Sequence, residues 1–157
     1  MRTDARPPAT PSRVVIDASA LVAFLTDGAE LAAWVTREIR DSAPTGPDLL
    51  LFETANLLRR LESARVIDPT TASMAHVDLL DLSVWLVGYA PLADRARELR
   101  ANLTTYDASY VALAEALEAP LVTLDARIAR APGIRCEVRL PPSLTPRARR
   151  GVPARGA

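Results

Sequence analysis

A short β-branched run that ends on an acid constrains the fold of this chain more than any other stretch. Val14, Val15 and Ile16 lead into Asp17, and an alanine- and leucine-rich stretch begins directly after it. Such a run is typical of a strand that is buried on both faces of a parallel sheet. Ligands of open α/β sheets bind outside the carboxyl ends of the strands, where Asp17 would lie. Asp17 is therefore a candidate site residue, and the alternative is that it only caps the following helix.

The same arrangement, an apolar run followed by a carboxylate, occurs twice more. Residues 48–52 are predicted to form a strand that ends on Glu53, and residues 120–124 a strand followed by Asp125. If these strands are parallel, their carboxyl ends meet at one edge of the sheet. The sequence therefore predicts that the three acids lie close together.

A fourth acid, Asp107, directly precedes an alanine-rich helix predicted over 108–117. Asp107 shares a helical stripe with Val111 and Ala114, so its side chain is expected to point inward and join the other acids. The alternative is that it only interacts with the helix dipole.

The remaining pattern predicts an α/β fold. Apolar periodicity and helix-start signals indicate helices over 18–26, 29–40, 54–64, 70–81 and 91–101. Further strands are predicted over 84–87 and 137–141, and the segment 42–47, which contains two prolines and a glycine, is predicted to be a turn. Alternating strands and helices favour a central parallel sheet with right-handed crossovers.

Composition excludes several classes of function. All 19 basic residues are arginine, and without lysine a phosphate-loop NTPase and Schiff-base chemistry are excluded. The glycines form no dinucleotide-binding motif. Cys136 is the single cysteine and His76 the single histidine, so a zinc site built from these residue types is excluded as well. The formal net charge is zero, so any nucleic-acid site must be local.

Clustered carboxylates need a compensating charge. Two like charges ~4 Å apart repel by roughly 4 kcal/mol at an effective dielectric constant of about 20, so either some acids are protonated or a cation binds. Oxygen ligands without His or Cys favour Mg²⁺ or Mn²⁺. The chemistry this predicts is metal-assisted hydrolysis of a phosphodiester, with a metal-activated water as the nucleophile.

Four segments also carry a resemblance to a known family. They are VIDASALV (15–22), FETANLLRR (52–60), LTTYDASYVALAE (103–115) and LVTLDAR (121–127). In these segments the sequence resembles the PIN-domain ribonucleases, and specifically the VapC toxins of bacterial type II toxin–antitoxin systems. The resemblance implies a three-layer α/β/α fold and an Mg²⁺-dependent endoribonuclease that could use Mn²⁺ instead. It also implies an RNA substrate, a homodimer and inhibition by a cognate VapB-like antitoxin.

The resemblance also assigns roles to individual residues. It implies an acidic pocket of four catalytic, metal-binding carboxylates, of which the first two are direct ligands: Asp17, Asp107, Glu53 and Asp125. It implies support from four polar side chains: Ser19, Asn56, Thr105 and Thr123. The alternatives are that Thr105 is only an N-cap and that Asn56 is only an amide on a helix surface.

The two ends of the chain depart from the family pattern. Residues 1–12 are predicted to be a flexible lead-in and residues 142–157 a disordered tail rich in arginine and proline, on either side of a PIN domain at 13–141. No signal-like or membrane-spanning apolar stretch is present, so a cytoplasmic protein is predicted. Two other functions stay open: a non-catalytic PIN-like module that binds RNA or protein, and a PIN nuclease of RNA maturation.

Overall fold

A five-stranded parallel sheet lies at the centre of the described residues. The computed structural model describes residues 12–26 and 30–145. The strands are β1 (Ser12–Ile16), β2 (Ser42–Pro47), β3 (Trp85–Val87), β4 (Leu121–Val122) and β5 (Val138–Arg139). Their order is β3-β2-β1-β4-β5, and all neighbouring strands run parallel. The β-branched run of β1 is buried on both faces, as predicted.

Helices cover both faces of the sheet. The described residues contain α1 (Ala18–Thr26), α2 (Glu30–Ile39), α3 (Leu49–Ser63), α4 (Pro69–Asp81), α5 (Ala93–Glu98), α6 (Thr105–Ala116) and α7 (Ala126–Arg130). Two 3₁₀ turns, Ala90–Leu92 and Leu99–Ala101, flank α5. Helix α1 packs against α2, α3 and α4, whereas α6 packs against α5 and over β1, β2 and β4. The predicted α/β/α fold with a central parallel sheet is confirmed.

The strand order determines where a ligand would bind. From β1 the chain proceeds to β2 and β3 on one side, and it later returns to form β4 and β5 on the other side. Right-handed crossovers therefore place α1–α4 on one face of the sheet and α5 and α6 on the other. The order reverses between β1 and β4, and ligands of open α/β sheets bind at such a switch point.

Small and branched side chains build the core. In α6 every residue from Ala108 to Ala114 is buried, because its alanines let the helix lie close to the sheet. Trp34 of α2 is also buried. A smaller cluster of Val22, Leu58 and Ala75 joins α1, α3 and α4.

The segment predicted to be a turn, 42–47, is strand β2, so that prediction is wrong. Proline cannot donate to a sheet ladder and is rare in central strands. Here β2 pairs with β1 at residues 42–45 and with β3 at residues 45–47. Pro44 and Pro47 therefore each have a strand neighbour on one side alone, which makes the two prolines tolerable.

The predicted strand over 48–52 is also wrong, because helix α3 begins at Leu49. Leu50 is fully buried, whereas Phe52 is 79% exposed, a difference that fits one face of a helix. Gly46 allows this close junction, since a Cβ there would lie 2.5 Å from Leu50 Cδ2. Glu53 consequently lies in the second turn of α3 and does not follow a strand.

The other predicted elements differ mainly at their ends. Helix α6 begins three residues earlier than predicted, and Thr104, not Thr105, is its N-cap. Strands β3 and β5 are at the two edges of the sheet. Residues 1–11 and 146–157 lie outside the described part of the chain, so the flexible lead-in, the disordered tail and the domain limits remain predictions. Within residues 12–26 and 30–145, every helix is too short or too polar to cross a membrane.

Candidate active site

A cleft of about 290 Å³ lies at the carboxyl ends of β1 and β4. Four acids from distant parts of the sequence line it: Asp17, Glu53, Asp107 and Asp125. The cleft therefore lies where the strand order reverses, as is usual for ligand sites in this class of sheet. The structure brings together the four acids that the sequence singled out.

Asp17 is the most buried of these acids, at 8% exposure. Its Oδ1 accepts the backbone N–H of Ser19 (2.7 Å), and its Oδ2 accepts the hydroxyls of Ser19 (2.9 Å) and Thr123. Burial raises the pKa of Asp17, and the nearby charge of Asp107 raises it further, while the hydrogen bonds oppose the shift. Asp17 thus both caps α1 and presents a poorly compensated carboxyl group to the cleft.

Ser19 and Thr123 connect β1 to β4 around Asp17. The Ser19 Oγ also accepts a hydrogen bond of 3.0 Å from the backbone N–H of Leu124. The Thr123 Oγ1 accepts one of 2.9 Å from the backbone N–H of Asp125. Each hydroxyl therefore donates to Asp17 while it is itself held by the chain that follows β4. This arrangement supports the predicted role of both hydroxyls.

Glu53 reaches the cleft from α3. Its Oε2 accepts a hydrogen bond of 2.6 Å from the hydroxyl of Tyr110, a buried residue of α6. Burial raises the pKa of Glu53, and the charges of Asp17 and Asp107 raise it further. Although the predicted strand is wrong, Glu53 lines the cleft together with Asn56 and Arg60, which come from the same helix.

Asp107 lies in the first turn of α6. Its backbone N–H donates to Thr104 Oγ1 (3.1 Å), and this hydroxyl donates to Asp107 Oδ2 (2.9 Å). Thr105 is exposed and does not line the cleft. Its backbone carbonyl accepts the hydroxyl of Ser109. The hydroxyl next to Asp107 therefore comes from Thr104 rather than from the predicted Thr105.

Asp125 differs from the other three acids because it is already paired. It caps α7 by accepting the N–H of Arg127 at 2.8 Å. The Arg127 guanidinium donates to both of its oxygens, with Nη2 2.5 Å from Oδ2. This hydrogen-bonded ion pair lowers the pKa of Asp125. Among the described residues, Asp125 is thus the one acid of the cleft that forms an ion pair, whereas Asp17, Glu53 and Asp107 form none.

The sequence analysis assigned no role in the site to three polar residues that line the cleft: Arg60, Tyr110 and Arg127. Tyr110 follows Asp107 by three residues, a spacing that places both side chains on one side of a helix. Arg127 follows an N-capping acid by two residues, a position from which it can reach back to that acid. Asn56 also lines the cleft, where its Oδ1 accepts the guanidinium of Arg59.

The chemistry of the donor groups fits a hard divalent cation. Within the described residues, no three Asp, Glu, His or Cys side chains form a ready-made metal site. However, burial raises the pKa values of Asp17 and Glu53, and the charges of the neighbouring acids, including Asp107, raise them further. A cation would relieve this repulsion, and Mg²⁺ usually keeps several waters and takes one or two carboxylates.

Comparison with known proteins places this architecture in a family. The PIN domain family matches residues 14–134, a range that includes all four acids. Ribonuclease VapC1 of Mycobacterium tuberculosis is 37% identical over 131 residues, which cover 80% of this chain and 96% of VapC1. The chain therefore belongs to the PIN-domain family and, within it, to the VapC ribonucleases.

Two solved structures share the fold at lower identity. VapC20 of Mycobacterium tuberculosis, a toxin that cleaves the Sarcin-Ricin loop, has a TM-score of 0.57 at 18% identity and covers 78% of this chain and 96% of its own. VapBC2 of Rickettsia felis, bound to a DNA fragment from its promoter, has a TM-score of 0.57 at 13% identity and covers 80% of this chain and 97% of its own. These similarities establish the fold alone.

Proposed function

We propose that the chain is the toxin of a type II toxin–antitoxin system, an Mg²⁺-dependent endoribonuclease that hydrolyses RNA phosphodiester bonds. The observation that carries this proposal is the convergence of Asp17, Glu53 and Asp107 in one cleft of a VapC-family chain. These three acids form no ion pair within residues 12–26 and 30–145, and such a cluster is costly unless a cation joins it. A bound cation would make them a catalytic centre.

Asp17, Glu53 and Asp107 would hold the cation, with Asp125 beside them. Mg²⁺, or Mn²⁺ in its place, would activate a water and stabilise negative charge on the phosphate during hydrolysis. Ser19 and Thr123 fix the orientation of Asp17 through the hydrogen bonds described above. Burial keeps water away from this carboxylate and strengthens its attraction for a cation.

Positive charge at the rim of the cleft supports RNA as the substrate. Arg60 and Arg127 line the same cleft as the acids, one from α3 and the other from α7. Arginine binds phosphate oxygens well because its guanidinium offers several donors in one plane. The two side chains would contact phosphates of an RNA strand whose scissile bond lies over the three acids.

The proposed toxin would have two protein partners, an antitoxin and a second copy of itself. A VapB-like antitoxin would bind the toxin and block the cleft, and the free toxin would cleave RNA in the cytoplasm. A homodimer is supported by apolar side chains that α4 exposes at a spacing of three residues: Met74, Val77 and Leu80. Exposed stripes of this kind are typical of contacts between proteins.

The decisive experiment is RNA cleavage under metal control. The purified protein should cleave a structured RNA with Mg²⁺ or Mn²⁺, and EDTA should stop the reaction until metal is restored. Asp107→Asn should lower the rate by more than the roughly 10–100-fold typical of residues that only orient a metal ligand. Asp78→Asn, on the exposed surface of α4 outside the cleft, is the matched control.

Two results would contradict the proposal. Cleavage that survives both EDTA and Asp107→Asn would remove the metal mechanism. RNA binding without turnover, unchanged by Asp107→Asn, would instead identify a non-catalytic RNA-binding module.

A further inference from the structure

Tyr110 is a buried polar residue to which the proposed chemistry assigns no role. Its side chain is 2% exposed, and its hydroxyl donates to Glu53 Oε2 at 2.6 Å. This hydroxyl thus joins α6, the helix that carries Asp107, to the glutamate of α3.

This hydrogen bond determines where Glu53 can point. A glutamate in a helix has three rotatable side-chain bonds, and a half-buried one can turn toward solvent. The phenol ring of Tyr110 is fixed by packing in the core, so its hydroxyl is a stationary donor. Because burying a hydroxyl without a partner is costly, the bond to Glu53 should persist.

The bond also leaves one oxygen of Glu53 available. Oε2 accepts Tyr110, whereas Oε1 accepts no hydrogen bond from any other described residue. A carboxylate that is held by one oxygen and open at the other is well suited to bind a cation. Outer partners of this kind orient metal ligands in many proteins.

We propose that Tyr110 is a positioning residue whose hydroxyl holds Glu53 as a cation ligand beside Asp17 and Asp107. This inference rests on the proposed function, because it requires a divalent cation in the cleft. Tyr110 itself touches neither cation nor RNA and acts through Glu53. A purely structural role, in which Tyr110 only stabilises the core, is the competing explanation.

Cation affinity separates these two explanations. Tyr110→Phe removes one oxygen and keeps the ring in the core. We expect it to weaken Mn²⁺ binding, measured by calorimetry without RNA, by roughly 10–100-fold. Tyr106→Phe is the matched control, since Tyr106 lies on the same helix but is 62% exposed. Its Mn²⁺ affinity should equal that of the wild type.

Two further variants test whether Tyr110 acts through Glu53. Glu53→Asp keeps the charge and Tyr110 but shortens the side chain by one methylene, so it should lose Mn²⁺ affinity too. The double variant Glu53→Gln/Tyr110→Phe should bind Mn²⁺ no more weakly than Glu53→Gln alone, because the coupling between the two residues is then already lost.

Each result decides between the explanations. Wild-type Mn²⁺ affinity in Tyr110→Phe, with or without a lower Tm of the metal-free protein, would overturn the positioning role. If Tyr110→Phe does not fold, wild-type affinity in Glu53→Asp would overturn it instead. A wild-type protein that neither binds Mn²⁺ nor cleaves RNA would contradict the proposed function itself. If the wild type does both, the proposed function holds regardless of the result for Tyr110→Phe.

Discussion

The two ends of the cleft treat their acids differently. At the inner end, defined by Asp17, Ser19 and Thr123, the acid is 8% exposed and its hydrogen-bond donors are uncharged. At the outer end, defined by Asp125 and Arg127, the acid is paired with a guanidinium whose side chain is 84% exposed. Burial raises the pKa of Asp17, whereas Arg127 lowers that of Asp125.

This difference indicates separate tasks for acids that the sequence treats alike. At the inner end Asp17 accepts hydrogen bonds from uncharged groups and forms no ion pair with any described residue, so under the proposed function a cation from solution would bind there. The outer end carries its own cation, Arg127, whose side chain is exposed although the Asp125 side chain it pairs with is only 21% exposed. Under the proposed function, this exposed guanidinium would contact an RNA phosphate.

The largest expected effect comes from Asp17→Asn. We expect RNA cleavage to fall by well over 100-fold, beyond the roughly 10–100-fold typical of residues that only orient a metal ligand. In the absence of metal the same variant should raise the Tm, because it removes a buried charge that repels Asp107. Cleavage assays and thermal unfolding in EDTA would measure both. A lower Tm together with retained cleavage would contradict the role of the inner end.

Thr123→Val should have the next largest effect. The change removes the buried hydroxyl that donates to Asp17 and accepts the N–H of Asp125. We expect a 10–100-fold loss of activity and a loss of about 1–3 kcal/mol in unfolding free energy. Urea denaturation and cleavage rates are the measurements.

A matched control for this variant is Thr71→Val. Thr71 also donates its hydroxyl to an aspartate, Asp68, but it does so at the N-terminus of α4. This variant should lose stability and keep full activity. An equal loss of activity in both variants would mean that Thr123 acts through general stability alone.

The acids at the two ends of the cleft should also affect the pH dependence of folding stability in opposite directions. Asp17 and Glu53 have raised pKa values, so the folded, metal-free chain binds their protons more tightly than the unfolded chain does. Protonation of these two carboxylates should therefore increase the free energy of unfolding as the pH falls from neutral toward their raised pKa values. The pKa of Asp125 is lowered, so its contribution is lost at still lower pH. Urea midpoints in EDTA should pass through a maximum below pH 7, and a steady decline from pH 7 downward would contradict this.

The smallest effect is expected for Arg127→Gln. If Arg127 binds a phosphate, KM should rise while kcat stays nearly constant, and the salt dependence of RNA binding should weaken by about 0.7 in log–log slope. Arg37→Gln, on the exposed surface of α2, is the control. A large drop in kcat for Arg127→Gln would place this residue in the reaction itself.

The sequence predicted the layers of the fold because β1 and α6 have unambiguous patterns. The prediction from the sequence was wrong at residues 42–52, where the conformations that these residues usually adopt differ from those that the fold requires. The prolines of β2 are tolerated only because its two neighbours pair with different halves of the strand. The apolar run 49–52 is long enough for a strand, and its helical period becomes visible only once Leu50 is seen to be buried and Phe52 exposed.

The candidate site was predictable as a set of acids but not as a set of interactions. Acids that follow strands signal a sheet edge, and Glu53 reaches the same cleft from a helix instead. Periodicity does not indicate which acid acquires a partner, because the pairs Tyr110–Glu53 and Arg127–Asp125 depend on side-chain directions in space. The division into an inner and an outer end therefore emerged only from the structure.

The hydrogen bond from the Ser19 amide to Asp17 makes the start of α1 sensitive to whatever occupies the cleft. When an ion draws the Asp17 carboxylate toward itself, the donor at Ser19 must share its acceptor, and the protection of this amide against deuterium must change. The rate of deuterium uptake at the Ser19 amide would thus report whether the cleft is occupied, even in the absence of RNA cleavage.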